Sequence, residues 1–402
     1  MQHRLRAAPT AADRERAAFL DEMCRVLWRP PEDGAVEEDE LIVLPGARRP
    51  RLLVPPRRRV AAAAVRQYGE PRSRRSRLGT RALSLVLRSG AGGAVFRDRV
   101  RLGPAGGDTI DGYLAGALGR DIEISMYLGA PRANRKPVLQ LLAGDGSLAG
   151  FAKIGVSPLA RRLVMAEHDA LTALGEASLE AVTVPAVLHY GIWHEMPVLV
   201  LGPLAVRERR VPLPRGRLAQ AMGAVSRMDG VAPAALAASP YWSRLIDRLE
   251  GVSASPPGAD LRQALADVAD RAGDARLGFG DWHGDWTPWN MASTRDGLLV
   301  WDWERFARGV PIGYDVLHHW LQTHVVPGGM EPRAAARETI QRAPGLLEPF
   351  GADTPQAALT AVVYLAELAT RQIADGQAAA GARLGDTGRW LVPAIAEGAR
   401  EL

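Results

Sequence analysis

Lysine is nearly missing from this chain: of 50 basic residues only two, Lys136 and Lys153, are lysines. Asparagine is as scarce, occurring at Asn134 and Asn290 alone. The single cysteine, Cys24, excludes a disulfide framework and a thiolate zinc cluster. No run approaches about 20 uninterrupted apolar residues, so no membrane span is expected. The N-terminus is charged throughout and lacks the apolar centre of a secretory signal. A cytoplasmic location is the expectation. In a chain whose habitual cation is arginine, a lysine inside an apolar strand invites a reason, because its ammonium is compact and movable where a guanidinium is a wide planar fork.

The chain has 402 residues, 47% of them hydrophobic, and a net charge of +5. That length suits two or three compact units with a substantial core. The charge is uneven. Residues 48–77 hold eleven arginines and one acid, Glu70. A solvated basic surface is the first reading, and an anionic partner the second. Nucleic acid is not expected there, because the lone Tyr68 does not interleave the arginines in the manner of a base-stacking surface.

Residues 1–116 read as an accessory region of unknown role, with a helix over Glu15–Trp28, short strands over Leu41–Val54 and a helix over Val60–Tyr68. The pattern sharpens afterwards. Strands are expected at Asp121–Leu128, Pro137–Ala143 and Leu148–Val156, the last two joined by a Gly144-Asp145-Gly146-Ser147 turn. A helix follows from Ser157 and Pro158, an N-cap and first-turn pair, with Leu159, Leu163, Ala170, Leu171 and Leu174 on its apolar face. Val184–Tyr190 and Met196–Leu201 complete a small, mostly antiparallel sheet. Residues 205–275 and 331–402 read as mainly helical, most clearly at Pro355–Ile373.

The chemistry concentrates in Asp281–Asn290, DWHGDWTPWN, and in the WDWE segment that begins at Trp301. Between them, Asp296-Gly297 predicts a two-residue hairpin turn in which Met291 faces Asp302 and Asn290 faces Trp303. Asn290 and Asp302 then meet at the open end, diagonal neighbours roughly 5–8 Å apart, as oxygen donors suited to magnesium. Asp285 enters as a proton acceptor for an attacking hydroxyl. A base and two metal ligands are what phosphoryl transfer from a metal-bound triphosphate requires. Lys153, flanked by Ala152 and Ile154, needs an anion, and Glu167 on the apolar helix face needs a cation. Their pairing would hold the ammonium against phosphate oxygens.

The set HGDWTPWN, WDWE, Lys153 and Glu167 resembles the aminoglycoside phosphotransferase and choline kinase group, the small-molecule branch of the protein-kinase-like fold. Asp285 and Asn290 keep the five-residue spacing of the kinase catalytic loop, and His283 gives HGD in place of HRD. The resemblance covers roughly residues 117–320, the C-terminal helices loosely, and not the first hundred residues. It implies an α+β, bilobal architecture: a small antiparallel-sheet nucleotide-binding lobe with its hinge at residues 117–204, and a mainly helical lobe at 205–402 with the catalytic loop and acceptor site. Leu201 and Gly202 lead into a hinge, 202–204, whose backbone would hold adenine. Asp315 matches a family aspartate of structural role. The phosphate loop departs from the kinase glycine pattern: LGAPRANRK keeps only Gly129, so Asn134, Arg135 and Lys136 are the candidate phosphate donors.

The expected activity is ATP- and Mg2+-dependent transfer of the γ-phosphoryl group, with GTP as the alternative nucleotide, to a small-molecule hydroxyl acceptor such as an aminosugar, sugar or nucleoside. The rivals are a protein or peptide kinase and a non-catalytic nucleotide-binding scaffold. His283 is expected to order the loop. Five of the ten tryptophans fall within residues 282–303. Most are expected to pack, with Trp286 the candidate for the acceptor site. His318, His319 and His324 match no zinc spacing and read as core or surface histidines. Acceptor identity and oligomeric state are not legible.

Overall fold

The computed structural model describes residues 8–28, 40–67, 74–102, 108–177, 179, 181–206, 210–214 and 216–402, with the side chains of 74–77 left aside. Tyr68 and Glu70 lie outside the described residues. The architecture is α+β, in two compact units: residues 1–164 with 186–203, and residues 165–185 with 204–402. Among the described residues no helix is long and apolar enough to cross a membrane.

In the first unit the strands are β1 (Glu40–Leu44), β2 (Leu52–Val54), β3 (Arg99–Arg101), β4 (Glu123–Tyr127), β5 (Val138–Leu142) and β6 (Leu148–Ile154). After β7 (Val182–Thr183), which belongs to the second unit, come β8 (Val187–Trp193) and β9 (Met196–Leu201). They form one eight-stranded sheet in the order β3-β1-β2-β4-β5-β6-β9-β8. The five expected strands are present. Of the other three, β1 and β2 answer to the short strands expected over Leu41–Val54 and β3 is unexpected; the surprise is that all three join this sheet. A boundary at residue 116 does not appear, because β2 pairs directly with β4 through Leu52↔Tyr127 and Leu53↔Met126.

Helices cover both faces of that sheet. The helix α1 (Ala11–Leu27) starts from a capping box in which Thr10 and Asp13 satisfy each other's backbone N–H groups. Its Leu20, Met23 and Leu27 recur at helical spacing and pack with Ile124, Met126, Leu139, Leu141, Ala152 and Ile154, the alternate residues of β4, β5 and β6. On the opposite face, α2 (Arg58–Gln67) lays its alanine run against Ile42, Leu44, Leu52, Val54 and Leu142, beside α3 (Arg74–Ser89). Lys153 is on that second face, because it pairs with Val138 and Leu199 and a strand alternates its sides. Further along are the short α4 (Gly92–Val95), α5 (Ile110–Leu118), which packs with α1, and α6 (Pro158–Glu176). The helix α6 starts where Ser157 and Pro158 predict, with the Ser157 hydroxyl accepting from the Ala160 N–H at 3.2 Å.

The second unit is mainly helical: α7 (Arg217–Ser226), α8 (Pro240–Glu250), α9 (Pro256–Ala272), α10 (Tyr314–Val325), α11 (Pro332–Leu347), α12 (Thr354–Ala374) and α13 (Thr387–Glu401). The largest core cluster joins α8 to α13, with α12 buried along nearly its whole length. Two three-stranded sheets sit among them. One holds β10 (Ala232–Ala235), β11 (Arg276–Trp282) and β14 (Ala307–Pro311), and the other β12 (Met291–Ser293), β13 (Leu298–Val300) and β7. The strand β10 falls in a stretch expected to be helical. Its Ala-Pro-Ala-Ala sequence gives little strand signal, and Pro233 is tolerated because β10 is an edge strand.

The β12–β13 hairpin forms, but not in the expected register. Met291 faces Val300 and Ser293 faces Leu298. Thr294 and Gly297 close the turn through Thr294 N–H to Gly297 O at 2.9 Å, so Arg295 and Asp296 are its central residues. The expected Asp-Gly turn is therefore displaced by one residue at its centre and the pairing by two. Gly297 takes φ +155°, and its Cα hydrogen faces the Ala181 carbonyl where a Cβ would meet the oxygen at 2.9 Å. Contact with the chain before β7 thus outranks the turn preference. A two-residue slip keeps every side chain on its original face.

Candidate active site

The loop 283–290 leaves β11 and enters β12, and its geometry is set by side chains from α10 and α12 and by the backbone of the segment after β13. Asp315, at the start of α10, accepts the His283 N–H with one carboxylate oxygen at 2.8 Å and the Gly284 N–H with the other at 3.1 Å. Burial pushes that carboxyl up to about 7 in spite of the two donors. Arg371 of α12 donates to the Gly284 carbonyl at 2.7 Å. Gly284 itself has φ +82°, and a Cβ there would stand 2.1 Å from the Arg305 carbonyl oxygen. Only glycine fits that turn.

His283 is fully buried. Its Nδ1 accepts the backbone N–H of Asp285 at 3.0 Å, which leaves Nε2 protonated to donate to the Trp301 carbonyl at 3.1 Å. Both ring nitrogens are occupied in holding the loop to the segment after β13. Burial pushes the imidazole pKa down to about 4, so the ring is neutral at pH 7, with its one N–H committed to the Trp301 carbonyl.

Asp285 keeps a third of its side-chain surface exposed, at 32%. One oxygen accepts from Nε2 of His318 at 3.0 Å and the other from the Asn290 amide at 3.0 Å. The same amide also donates to the Asp285 carbonyl at 3.0 Å. Burial works to raise the Asp285 pKa. Burial is the largest single influence, but the His318 imidazole and the Arg371 guanidinium together outweigh it and hold the carboxyl below its ordinary value, so the group is a carboxylate at pH 7. With its NH2 turned to Asp285, Asn290 directs its amide oxygen the other way.

Asp302 follows β13 with φ +73°, a left-handed conformation that a non-glycine residue adopts at a cost of order 1–3 kcal/mol. Its charge acts on both His283 and Asp285. An oxygen of Asp302, one of buried Glu304 and one of fully buried Glu167 lie within 4.8 Å of one another. Three carboxylate oxygens brought that close suit a hard divalent cation such as Mg2+. Of the expected Asn290–Asp302 pair this cluster holds Asp302, with Glu304 and Glu167 as its neighbours. Lys153 is buried at 8% exposure in its strand.

Four expected site residues are placed differently. Trp286 is wholly buried between His283 and Trp303, with ring centroids at 5.7 and 6.4 Å, and presents no surface to an acceptor. Enclosed against those two rings it is a packing residue, whereas Trp289 is 37% exposed. The Gly202 N–H already donates to the Ala186 carbonyl at 2.8 Å, and Leu201 is buried in β9 between Phe151 and Val187, so an adenine would use other backbone groups of this segment. Arg135 turns away from a phosphate role: its guanidinium stacks 3.8 Å above the ring of Phe19 on α1, and burial lowers its pKa to about 10. Gly129, Asn134 and Lys136 are half-buried in the same loop.

Sequence reasoning missed His318, Tyr364, Arg371 and Glu304. A signal existed for the first: His318 stands three residues after Asp315, one helical turn, so both point to the same loop. The arginine of α12 has no such cue, since it meets the loop only through tertiary packing.

The profile of the phosphotransferase enzyme family (APH) matches residues 142–359, more than half of the chain. None of the curated proteins matches it. Among solved structures, a thermostable mutant of the aminoglycoside phosphotransferase APH(4)-Ia is 16% identical, covering 72% of this chain and 98% of that one at a TM-score of 0.46. The choline kinase LicA from Streptococcus pneumoniae is 12% identical over 66% and 90% at 0.43. A putative fructosamine-3-kinase from Thermobifida fusca is 15% identical over 74% and 100% at 0.45. All three scores fall below 0.5, so the assignment rests on the profile match together with the loop just described. The chain belongs to the phosphotransferase enzyme family, and its α+β architecture is the kinase-like one that the resemblance implied.

Proposed function

We propose that this phosphotransferase moves the γ-phosphoryl group of ATP, with Mg2+, to a hydroxyl of a small molecule, and that Asp285 is its base. The observation behind the proposal is the state of Asp285: a carboxylate at neutral pH, oriented at both oxygens by His318 and Asn290 and still partly open to an incoming group. A carboxylate in that state accepts the proton of an attacking hydroxyl and aims its oxygen for in-line displacement. Asn290, Asp302 and Glu304 are the residues that would hold magnesium, with Glu167 either joining them or pairing with Lys153. Bound magnesium supplies neutralisation of the phosphate charge. Lys153 holds the nucleotide phosphates with its ammonium, and Gly129, Asn134 and Lys136 offer further donors.

A small acceptor is favoured over a peptide by the stretch after Asp302. It passes within a few residues into β14 and then into α10 at Tyr314. No room is left for a long peptide-binding segment of the protein-kinase kind. Aminosugars, choline-like alcohols and sugar amines are the first acceptors to try, since the structural neighbours carry those names.

The test is Asp285→Asn. Turnover is expected to fall by about 10²- to 10⁴-fold, the range for loss of a general base, while a thermal-shift titration still reports MgATP binding. Full turnover in this variant would overturn the assignment. Wild-type protein that binds MgATP but consumes none across the acceptor panel would make the chain a nucleotide-binding scaffold.

A further inference from the structure

We infer that His318 is a positioning residue for the Asp285 carboxylate and that Tyr364 sets the imidazole tautomer that lets it act. The inference rests on the reading of Asp285 as the base. A line of three side chains runs from α12 through α10 to the loop, all in the second unit. The Tyr364 hydroxyl is 3.0 Å from Nδ1 of His318, and Nε2 of His318 is 3.0 Å from an oxygen of Asp285. Tyr364 is fully buried and His318 is 1% exposed, while Asp285 at the far end reaches solvent.

The chemistry of the three groups fixes the direction of each bond. A carboxylate only accepts, so Nε2 of His318 carries a hydrogen and donates it to Asp285. A neutral imidazole then has a bare Nδ1, which accepts from the Tyr364 hydroxyl. Burial works most strongly against a second proton, the Asp285 carboxylate favours one and the Arg371 guanidinium opposes it; burial prevails and holds His318 below its ordinary pKa. Tyr364 is equally held as a phenol, since its ionisation is raised out of range by burial. The groups that face His318 are therefore a phenol, a carboxylate and a guanidinium, from α12, the loop and α12.

The position of the donor matters more than its charge. Asp285 has two oxygens, and Asn290 holds one. A single hydrogen bond would leave the carboxyl plane free to rotate about its bond to Cβ. The second donor, from the opposite side, fixes that plane. A base turned out of line by a fraction of an ångström loses much of its advantage, because alignment of the attacking hydroxyl is the larger part of what the site supplies. Burying a polar imidazole beneath a loop is costly unless both nitrogens are satisfied, and here both are.

The test uses the full chain and steady-state MgATP consumption with the acceptor panel, normalised to folded enzyme. His318→Leu removes the donor at similar volume. It is expected to lower kcat about 10- to 100-fold with KM for ATP changed less than about twofold. His318→Gln places an amide N–H close to the Nε2 position and is expected to recover kcat to within about fivefold of wild type. Tyr364→Phe, which removes only the hydroxyl that selects the tautomer, is expected to fall between them. An independent reading is the imidazole 15N spectrum at pH 7, in which His318 should show a protonated Nε2 and a bare Nδ1. A spectrum with the opposite tautomer, or His318→Leu with wild-type kcat per folded molecule, overturns the positioning role. His318→Gln as impaired as His318→Leu does so too, because packing alone would then explain both. Failure of the base reading is separable: there Asp285→Asn itself keeps turnover, whereas failure of the positioning role leaves Asp285→Asn inactive and His318→Leu active.

Discussion

Two loops were expected to carry the chemistry, one in each unit, and they are built differently. In the loop 283–290 short-range contacts, His283 to Asp285 and Asp285 to Asn290, act together with groups that arrive from Trp301, Arg305, Asp315 and Arg371. His283 uses both ring nitrogens, Gly284 has no space for a Cβ, and the Asn290 amide bridges the Asp285 backbone and side chain. In the loop 129–136 the most constrained side chain is Arg135, and its partner is Phe19 on α1. The contacts that span five residues or fewer, His283 to Asp285 and Asp285 to Asn290, leave a readable motif. Residues fixed by a distant helix do not.

The sharpest way to break this contrast is at the two glycines. Gly284→Ala puts a methyl group 2.1 Å from a backbone oxygen at φ +82°. A loss of more than about 4 kcal/mol, or failure to fold, is expected, because backbone clash and left-handed strain add. Gly129→Ala meets nothing closer than the Tyr127 ring at 3.7 Å and should cost less than about 1 kcal/mol. Urea denaturation of the two variants gives the comparison directly. Equal midpoints would show that the two loops are not constrained differently.

The same contrast explains how much could be read beforehand. The loop 283–290, Asp302 and the strands flanking Lys153 were legible because hairpin turns, alternation and fixed spacing are short-range signals. The hairpin register was not, because the Ala181 carbonyl that decides the place of Gly297 arrives from another part of the chain. Arg371 was not, because α12 reaches the loop only once the helical core has assembled. The role of the first hundred residues was hidden for a related reason. Glu15–Trp28 reads as a helix, but nothing in it announces that β1 and β2 will extend the sheet beside β4 or that α1 will cover the result.

A second variant sharpens that point with a smaller effect. Met23 has no exposed surface and packs in the cluster shared with β4, β5 and β6. Were residues 1–116 a separate module, Met23→Ala would leave the rest of the unit untouched. As an integral part of the core, the substitution is expected to cost about 2–5 kcal/mol, the range for a large-to-small change at a buried site. It should lower the single transition of the whole sheet. Hydrogen exchange at β5 and β6 is the measurement, and unchanged protection there would contradict a shared core.

The smallest expected effect is at Arg135, and it separates two uses of one side chain. A guanidinium that bound the nucleotide phosphates would, on removal, raise KM for ATP at least about tenfold, as expected for loss of a charge-assisted hydrogen bond. A guanidinium that stacks on Phe19 contributes instead to holding α1 against the loop, where a cation–π contact is worth about 0.5–2 kcal/mol. The observed stacking distance and the half-buried position favour the second. Arg135→Ala is therefore expected to lower stability by about 1 kcal/mol and to change KM for ATP by less than about threefold. Phe19→Ala, which takes away the ring and leaves the guanidinium, should destabilise at least as much, because it also removes apolar contact from the α1 side of the sheet. If Arg135→Ala instead raises KM strongly while Phe19→Ala does not, the arginine belongs to the nucleotide, and the two loops are more alike in use than their construction implies.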